Sequence, residues 1–374
     1  MAQPQDHGRV LPHQLTEMFA IAAPGQEAEL AHEAVSKGFD AEAIQGGVAL
    51  RGGWDEAWRA NLELRGASRI LARIAQFRAV HMAQLDKRSR RTDWAALLPP
   101  GAAIKVDAAC RKSRIYHNKG AAERLDRAIR DALGAVREGP LFGLRLRIED
   151  DLATISLDTS GEPLHRRGAK AWVGKAPIRE NLAAMFLAAC GYDGREPVVD
   201  PMCGSGTFVL EAAEIAADLQ PGRARSFAFE HLAGFDAAGF AAMKRDGTQP
   251  AFRFFGYDRD PGAVEGATAN AARSGVDGWA SFAQQTFAEL RPPEGPPGLV
   301  ITNPPYGARI GNRQMLFGLY GKLGQVLSSR FSGWRVGIVT SDGGLAKATG
   351  LDLAPGAPVD HSGTSVRLWQ SGPL

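Results

Sequence analysis

The stretch PVVDPMCGSGTFVLEAA, residues 197–213, joins an apolar strand to a helix through a glycine-rich turn. The strand ends in Asp200, and Gly204 and Gly206 follow before helical periodicity begins at about Thr207. A ligand at such a turn lies at the carboxyl end of a parallel strand, where open α/β sheets bind their ligands. The two glycines would let the main chain come close to that ligand. The stretch therefore predicts an α/β domain with a binding site at this turn.

The turn lacks the fingerprints of nucleotide-phosphate sites. A dinucleotide motif of the form GxGxxG would need a glycine where the chain has Val209. The sequence contains no GxxxxGKS or GxxxxGKT loop either. A GxG turn after an acidic residue suits a ligand with a charged amino group and no phosphate, and S-adenosylmethionine is such a ligand. The alternative is a strand–helix turn with a purely structural role.

Segments on both sides of the turn alternate between strand and helix. Alternation of this kind implies a parallel sheet with right-handed crossover connections. A helical pattern precedes the strand PVVD, and further strands and helices follow the turn. In chain order the later segments are FRFFGYD (252–258), PGAVEGATANAARSG (261–275), LVITN (299–303) and WRVGIVTS (334–341).

The second strand of this sheet ends in a carboxylate, Asp258. A carboxylate at this place can accept both hydroxyl groups of an adenosine ribose. The alternative is an N-cap for the helix that follows, a role that carboxylates fill well. Asp260, which directly precedes Pro261, fits the N-cap role better than Asp258 does. We therefore expect Asp258 to bind the ribose.

A later strand ends in the tetrapeptide NPPY, residues 303–306. Neither Pro304 nor Pro305 has an N–H to donate to a sheet, so the strand stops there. An aromatic exocyclic amine is a poor nucleophile, because its lone pair is delocalised into the ring. The Asn303 side-chain oxygen and the Pro304 carbonyl can each accept one amino hydrogen and point that lone pair at a sulfonium methyl. Because the prolines fix these acceptors in advance, the pattern predicts methyl transfer to an aromatic amine.

Tyr306 completes this tetrapeptide. Its ring can stack on the target base, a contact worth roughly 1–3 kcal/mol. A base inside a helix must first be unpaired or flipped out. The alternative is a Pro-Pro turn followed by a tyrosine of the core. The position of NPPY, downstream of the glycine turn and of Asp258, favours the site.

The length and composition are those of a water-soluble protein with more than one domain. The chain has 374 residues, of which 44% are hydrophobic and 23% charged. Residues 1–10 are polar and contain no apolar signal core, and the longest apolar run, 182–190, is about half the length of a membrane span. We therefore expect a cytoplasmic monomer that has no membrane partner.

The three cysteines, Cys110, Cys190 and Cys203, are far apart in the sequence and odd in number. They show no CxxC spacing, which argues against a disulfide framework or a zinc site. We expect a reducing compartment and no metal. Cys203 lies in the glycine turn, where we expect a small residue of the binding loop; a catalytic thiol is the alternative.

The first half of the chain mixes strands and helices and contains clusters of positive charge. Residues 142–161 alternate with period two and predict a hairpin around Asp150 and Asp151. A solvated helix face would explain one basic cluster, but several in one region indicate a polyanionic partner, because clustered Lys and Arg displace counterions from phosphates. The clusters are RSRR (88–91), RKSR (111–114) and RLDRAIR (124–130).

Together these motifs resemble the THUMP-domain guanine-N2 RNA methyltransferases. The resemblance rests on DPMCGSGTFVLEAA, GYDRDP and NPPYG, on HRRGAKAW and APIRENLAA before the turn, and on LQPGRARSFAFEHL after it. The resemblance covers nearly the whole chain and is strongest from about Leu164 onward. Within the family, the chain is similar to the half of the bacterial 23S rRNA enzyme that makes N2-methylguanosine. The last stretch forms an insertion between the first two strands of the sheet.

The resemblance implies a Rossmann-like class I methyltransferase domain that follows an α+β RNA-binding region. The domains expected are a ferredoxin-like piece at residues 1–55, a THUMP-type RNA-binding domain at 56–161 and the methyltransferase domain at 162–374. The pattern change between Gly161 and Lys175 agrees with the last boundary.

The resemblance also implies residue roles, with the glycine turn at the methionine end of the cofactor and Asp258 at its ribose. The family has an aspartate near the adenine, and here Gln285 or Thr286 stands at that place. The family's RGYR reads RGAK at 167–170, and the last predicted hairpin, 361–370, contains no residue that we expect to be catalytic. The expected catalytic residues are Asn303, Pro304 and Tyr306. The expected cofactor residues are Asp200, Pro201, Cys203, Gly204, Gly206, Thr207, Asp258, Gln285, Thr286 and Asn303.

Other functions remain open, because NPPY also serves adenine-N6 methylation of DNA and glutamine-N5 methylation of proteins. A DNA enzyme would have no obvious use for a basic α+β module that grips RNA. A non-catalytic RNA-binding protein would need a damaged site, whereas both DPMCGSGT and NPPY are intact. We expect methylation of guanine N2 in RNA, with 23S rRNA as the substrate and tRNA as the alternative.

Overall fold

The structure is a computed structural model that describes residues 15–134, 141–174, 177–307, 313–361 and 363–374. The described chain divides into two compact units, and each contains its own sheet. The first unit comprises the described residues up to Ile21, Ala31–Leu164 and Ser226–Lys244. The second unit comprises Ala22–Leu30, His165–Arg225 and Arg245–Leu374.

The elements follow the alternation that the sequence predicts. Up to residue 158 they are β1 (Glu17–Ile21), α1 (Glu27–Ser36), β2 (Asp40–Ile44), β3 (Gly47–Arg51), α2 (Trp54–Glu63), β4 (Arg69–Arg78), α3 (Met82–Ser89), α4 (Trp94–Leu97), β5 (Ala103–Arg111), α5 (Asn118–Leu133), β6 (Leu141–Glu149) and β7 (Leu152–Asp158). After it they are α6 (Glu180–Ala189), β8 (Val198–Asp200), α7 (Thr207–Ala216), α8 (Ala237–Met243), β9 (Phe254–Asp258), α9 (Pro261–Ser274), β10 (Ala280–Gln284), β11 (Leu299–Thr302), α10 (Arg313–Arg330), β12 (Arg335–Thr340), α11 (Gly343–Ala348), β13 (Ala354–Pro355), β14 (Val359–His361) and β15 (Thr364–Gln370). Short 3-10 helices span Ala228–His231 and Phe287–Glu289. Within the described parts of the chain, no helix combines the length and apolar character needed to cross a membrane.

In the first unit, the described strands form one sheet in the order β2–β3–β1–β4–β7–β6–β5. Only the β5–β6 pair is parallel among these described pairs. Because β4 pairs with both β1 and β7, the sheet runs through the region that the sequence divides at residue 55. The three-domain division stays a prediction.

The turn between β6 and β7 confirms the predicted hairpin. Asp150 and Asp151 both have positive φ angles, 50° and 63°. Two consecutive residues of this kind form the type I′ turn, whose twist matches that of the strands on either side. Glu149 and Leu152 therefore face each other as the first pair of the ladder.

Aromatic residues of the inserted segment 226–244 belong to the core of the first unit. Phe229 is fully buried, and its ring lies 5.1 Å from that of Phe227 and 5.0 Å from that of Phe240, between centroids. Trp58 of α2 stacks on Phe229 at 6.0 Å. The insertion predicted between the first two strands of the methyltransferase sheet therefore stabilises the first unit by burial of aromatic surface.

In the second unit, the described strands form a sheet in the order β10–β9–β8–β11–β12–β15–β13, and β14 pairs with β15. The five strands from β10 to β12 are parallel, and β15 is antiparallel to β12. The predicted parallel sheet and the predicted final hairpin, β14–β15, are both confirmed. Strands β8 and β11 are buried along their length, as expected for a sheet with helices on both faces.

The strand order reverses between β8 and β11. From β8 the chain continues to β9 and β10 on one side, whereas β11 leads to β12 on the other side. Such a reversal opens a crevice at the carboxyl ends of the two strands. The strands end at Asp200 and Thr302, so the glycine turn and Asn303 both lie at this crevice.

Close packing of α10 against Thr349 generates a stability prediction. A Cβ atom on Gly324 would lie 1.8 Å from the Thr349 carbonyl oxygen, so Gly324→Ala requires the main chain to move. We expect this change to lower the free energy of unfolding by about 1–3 kcal/mol. Gly318→Ala, on the same helix, is the matched control, because a Cβ atom at Gly318 would meet nothing within 4 Å. It should be stabilising by about 0.5–1 kcal/mol. Urea unfolding measures both, and equal effects would contradict this packing.

Candidate active site

A cavity of about 110 Å³ lies at the carboxyl ends of β8 and β11. It brings together five of the residues expected at the site, from two strands that are distant in sequence. Several apolar residues close its other walls. The lining residues are Gly174, Pro177, Ile178, Asp200, Met202, Cys203, Gly204, Ser205, Thr207, Phe208 and Asn303.

The two glycines of the turn have different functions. Both have positive φ angles, 51° at Gly204 and 82° at Gly206, which favour glycine. A Cβ on Gly204 would meet nothing within 4 Å, so the main chain of this residue is open to a ligand. A Cβ on Gly206 would lie 2.9 Å from the ring of Phe282. Gly206 therefore accommodates an aromatic ring, a function that the sequence did not predict.

Asp258 holds the turn in place. Its Oδ2 accepts a hydrogen bond from the Gly204 N–H at 3.0 Å, and its Oδ1 accepts one from the Asp260 N–H at 3.0 Å. Asp260 itself accepts from the Gly262 N–H at 3.0 Å and is the N-cap of α9, as the sequence predicts. A carboxylate has about four lone-pair sites, so Asp258 keeps acceptor capacity for ribose hydroxyls.

Asp200 is a buried carboxylate at the end of β8. Burial raises the pKa of Asp200 to about 7, and the nearby charge of Asp258 acts in the same direction. The Met202 N–H, which donates to Asp200 Oδ1 at 3.1 Å, opposes this shift of the pKa. Near neutral pH the carboxyl group is therefore divided between its acid and its carboxylate form.

Asn303 lines the cavity, and its amide oxygen is buried. Strand β11 ends at Thr302, and the two prolines that follow keep Asn303 at the strand end. Its Oδ1 has no hydrogen-bond partner among the described residues. A buried acceptor without a partner destabilises the fold by about 1–3 kcal/mol, which a donor on a bound ligand would offset.

Cys203 is buried, and burial raises the pKa of its thiol well above the ordinary value. Asp200 and Asp258 raise that pKa further. The thiol form is therefore favoured over the nucleophilic thiolate, which agrees with the expected part of a small loop residue. Thr207, also on the cavity wall, accepts a hydrogen bond from Lys170 Nζ at 2.7 Å.

Other expected site residues do not line this cavity. Pro201 and Gly206 are buried in the turn, and Pro304 is buried after β11. The Gln285 N–H donates to the Asp258 carbonyl at 2.9 Å, which places this residue next to the ribose candidate. Thr286 is exposed, and a 3-10 helix begins after it. Which of the two contacts an adenine stays a prediction.

Several contacts of the site were not predicted from the sequence. Lys170 forms an ion pair with Glu180 at 3.0 Å and holds Thr207 at the same time. Asn270 is fully buried on α9; its Oδ1 accepts from the Trp172 N–H at 3.2 Å, and its Nδ2 donates to the Ser205 carbonyl at 3.2 Å. The only sequence signal for Lys170 was its place in the family-like stretch HRRGAKAW.

Comparison with known proteins identifies the family. Residues 167–354 match the family described as RMKL-like, methyltransferase domain, a range that contains the glycine turn, Asp258 and NPPY. The chain belongs to the RMKL-like methyltransferase family. Residues 17–71 match a second description, the RlmL ferredoxin-like domain. The resemblance seen in the sequence and the ferredoxin-like N-terminal region are confirmed.

Individual relatives agree with this assignment. Ribosomal RNA large subunit methyltransferase K/L of Syntrophotalea carbinolica is 38% identical over 357 residues, which are 89% of this chain and 50% of that relative. The chain spans about half the length of the curated relatives that it matches. The crystal structure of SMU.472 in complex with SAH is 28% identical, with a TM-score of 0.84 over 96% of this chain and 98% of that one. A predicted N6-adenine-specific DNA methylase from Listeria monocytogenes str. 4b F2365 is 28% identical, with a TM-score of 0.86 over 96% of both chains. The expected class I methyltransferase fold is thereby confirmed.

The cavity residues fit S-adenosylmethionine, the methyl donor expected from the sequence. The donor combines an ammonium group with a sulfonium. Asp200 offers a buried carboxyl group, whose negatively charged form such a cation stabilises. The open side of Gly204 lets the main chain approach the ligand. Each feature complements a cation that can donate hydrogen bonds.

The raised pKa of Asp200 predicts that cofactor binding is linked to proton release. A bound cation stabilises the carboxylate and lowers its pKa below the value of about 7, so binding should release part of a proton near neutral pH. Affinity should then increase between about pH 6 and pH 8. Calorimetry in buffers of different ionisation enthalpy measures the release. Asp200→Asn should abolish it and weaken binding, whereas Asp260→Asn, the N-cap control, should retain it. Unchanged proton release in Asp200→Asn would refute the assignment.

Proposed function

We propose that the chain transfers a methyl group from S-adenosylmethionine to the exocyclic N2 amine of a guanine in RNA, with 23S rRNA as the substrate. The observation that carries this proposal is that Asn303, whose amide oxygen is buried and without a partner among the described residues, lines the same cavity as Asp200 and directly precedes Pro304. The likeness to the K/L relatives and the RlmL ferredoxin-like region support RNA as the substrate. The chain would act as a cytoplasmic monomer without a metal.

The chemistry follows from the acceptors at the end of β11. When bound, the cofactor supplies an electrophilic methyl group on its sulfonium. Asn303 Oδ1 and the Pro304 carbonyl each accept one hydrogen of the target amine, which directs the nitrogen lone pair at that methyl group. The new N–C bond forms as the S–C bond breaks. The cationic product nitrogen then loses its proton to water, so no strong general base is required.

Tyr306 would provide the surface on which the target base stacks. It is half-buried and packs against the two apolar clusters of the second unit. Burial raises the pKa of its phenol, so the hydroxyl group stays protonated. Stacking on a tyrosine face is worth roughly 1–3 kcal/mol and offsets part of the work of flipping the base out of its helix.

Among the three basic clusters, the one at residues 111–114, together with the adjoining Tyr116, is best suited to hold RNA. Arg111 and Lys112 are exposed at the end of β5, and Tyr116 is 82% exposed. Arg114 lies 3.7 Å from Asp151 and is largely exposed as well. An exposed aromatic ring among cations can stack on an unpaired base while the cations bind phosphates. We call residues 111–116 the basic tip.

The other two clusters carry carboxylates close to their arginines. Arg90 pairs with Asp86 at 3.0 Å and with Asp131 at 2.8 Å, and Arg130 pairs with Asp126 at 2.6 Å. A groove of about 530 Å³ beside α5 is lined by three cations and three carboxylates. A polyanion gains less from such a mixed surface than from the basic tip.

The basic tip generates a prediction for RNA affinity. Tyr116→Ala should weaken the binding of structured RNA by about 1–3 kcal/mol. Arg111→Ala should reduce the slope of log K against log salt by about 1, since one phosphate contact is lost. Arg130→Ala is the control, because Asp126 already neutralises this arginine, and it should alter the slope much less. Filter binding at several salt concentrations tests the three variants. A larger effect at Arg130 than at Arg111 would place the RNA surface on α5.

Asn303 generates a prediction about the rate. Its oxygen acts mainly in the transition state, so Asn303→Ala should lower the rate of methyl transfer by about 10²–10³, by analogy with the loss of one oxyanion-hole donor. Dissociation constants for RNA and cofactor should change far less. Asn303→Asp keeps an oxygen acceptor and should retain partial activity. Single-turnover methylation of unmodified rRNA measures the rate, and a near-parental rate for Asn303→Ala would remove this residue from the mechanism.

The identity of the product tests the proposed function directly. The chain should convert guanine to N2-methylguanine in 23S rRNA taken from a strain that lacks this modification, as detected by nucleoside mass spectrometry. Equal amounts of tRNA and of double-stranded DNA are the comparison substrates. N6-methyladenine in the DNA would instead support the activity named for the Listeria monocytogenes structure. Modification of tRNA alone would keep the chemistry and replace the substrate.

A further inference from the structure

A histidine from the C-terminal hairpin reaches the tyrosine of NPPY. His361 ends β14 and is only 9% exposed. Its Nδ1 lies 3.5 Å from the Tyr306 hydroxyl oxygen, and its Nε2 lies 3.1 Å from the Pro177 carbonyl oxygen. Pro177 lines the cavity. One imidazole ring therefore joins the tyrosine to the cavity wall, across separations of 55 and 184 residues in sequence.

The chemistry of the two partners fixes the tautomer of His361. The Pro177 carbonyl can only accept a hydrogen bond, so Nε2 must carry the hydrogen. In the neutral ring, Nδ1 is then an acceptor, and Tyr306 donates its hydroxyl hydrogen to it. The reverse assignment would leave two acceptors facing each other at Pro177. The direction of both hydrogen bonds follows.

The groups around His361 favour this neutral state. Burial lowers the pKa of His361, and the nearby Arg179 lowers it further. The Pro177 carbonyl and the Asp360 carboxylate raise it, with less effect than burial. The Tyr306 hydroxyl group lies within hydrogen-bond distance of His361 and keeps its proton, because burial raises the pKa of this phenol. At neutral pH the donor and the acceptor that the geometry requires are both present.

We infer that His361 is a positioning residue, which holds the hydroxyl end of the Tyr306 ring through the O–H···Nδ1 hydrogen bond and thereby orients the target base beside Asn303. This inference rests on the proposed function, since it assigns an orienting partner to the stacking platform. A tyrosine has two side-chain torsions to fix, and its hydroxyl oxygen lies on the axis of the second. An anchor at the hydroxyl group therefore fixes the direction of the side chain, and the preference of a phenolic O–H for the plane of its ring favours one orientation of that plane before the base arrives.

The hairpin explains how so distant a residue reaches the site. Strand β15 pairs with β12, the neighbour of β11, and β14 pairs with β15. His361 faces Thr364 at the closed end of this hairpin. Because β15 runs antiparallel to β12, the end of the hairpin that carries His361 lies at the same edge of the sheet as the carboxyl end of β11. The antiparallel addition to the parallel sheet thus contributes a residue to the site.

Two isosteric substitutions separate the functions of the ring nitrogens. In His361→Asn the side-chain amide reaches the position of Nδ1 and offers Tyr306 an acceptor. In His361→Gln the amide reaches the position of Nε2 and donates to Pro177, but the acceptor for Tyr306 is lost. Asn should retain most of the methyl-transfer rate. Gln should lower that rate roughly tenfold to hundredfold, as expected when a positioning contact is lost, and leave the cofactor dissociation constant unchanged.

Tyr306→Phe supplies the coupling test. This change removes the other end of the same hydrogen bond, so it should lower the rate as much as His361→Gln does. The double variant should show no further loss, because both changes remove one interaction. Thermal unfolding of each variant identifies any loss of folding. Additive losses, or equal losses for Asn and Gln, would overturn the positioning function.

Nuclear magnetic resonance of protein labelled with ¹⁵N in its imidazole rings tests the inference without any activity. The parent chain should show His361 in its Nε2–H tautomer, and the Nδ1 resonance should move toward that of a free acceptor in Tyr306→Phe. An Nδ1–H tautomer, or an Nδ1 chemical shift that does not change in Tyr306→Phe, would overturn the inference even in an active methyltransferase. If N2-methylguanine does not form but these resonances behave as stated, only the proposed function fails.

Discussion

The buried strands β8 and β11 lead into two polar side chains, Asp200 and Asn303, whose hydrogen bonding within the described protein is incomplete, and the site depends on this constraint. Burial raises the pKa of Asp200 to about 7 in spite of the Met202 N–H, and Asn303 Oδ1 has no partner among the described residues. The apolar sheet around them is favourable enough to tolerate both. A bound cation would stabilise the Asp200 carboxylate, and a hydrogen-bond donor on a bound molecule would satisfy Asn303 Oδ1. The free energy lost in folding these residues is therefore recovered on binding, which gives the cavity its preference for such a ligand.

The glycine turn between β8 and α7 is held from several sides. Asp258 at the end of β9 binds the Gly204 N–H, and Asn270 on α9 binds the Ser205 carbonyl. Phe282 from β10 fills the space that a side chain at Gly206 would need. Three separate elements thus fix a loop whose residues have unusual backbone angles. Such a loop can present its main chain to a ligand without reorganisation on binding, which is the condition for preorganised recognition.

The features that the sequence predicted depend on residues close together in the chain, whereas the contacts that it missed join residues far apart. Local residues determine three of these features. Two prolines end β11, a pair of aspartates forms the turn at Asp150, and an Asp-Pro sequence marks the N-cap at Asp260. The parallel sheet followed from the alternation of elements. His361 and Phe282 could not be found in this way, because their partners are far away in sequence and no local pattern marks them. A lone histidine in a predicted hairpin carries no signal of the tyrosine that it contacts.

The two acceptors proposed at the end of β11 do not by themselves select the target base. Asn303 Oδ1 and the Pro304 carbonyl would meet any exocyclic amine with two hydrogens, whether it belongs to guanine or adenine. Selection must therefore come from contacts to the rest of the base and from the nucleic acid that presents it. On the proposed mechanism, a tyrosine held in place by His361 would contribute to this selection, because a rigid platform accepts only those bases whose amine then lies at Asn303. Specificity then depends on geometry as much as on hydrogen bonds to the base edge.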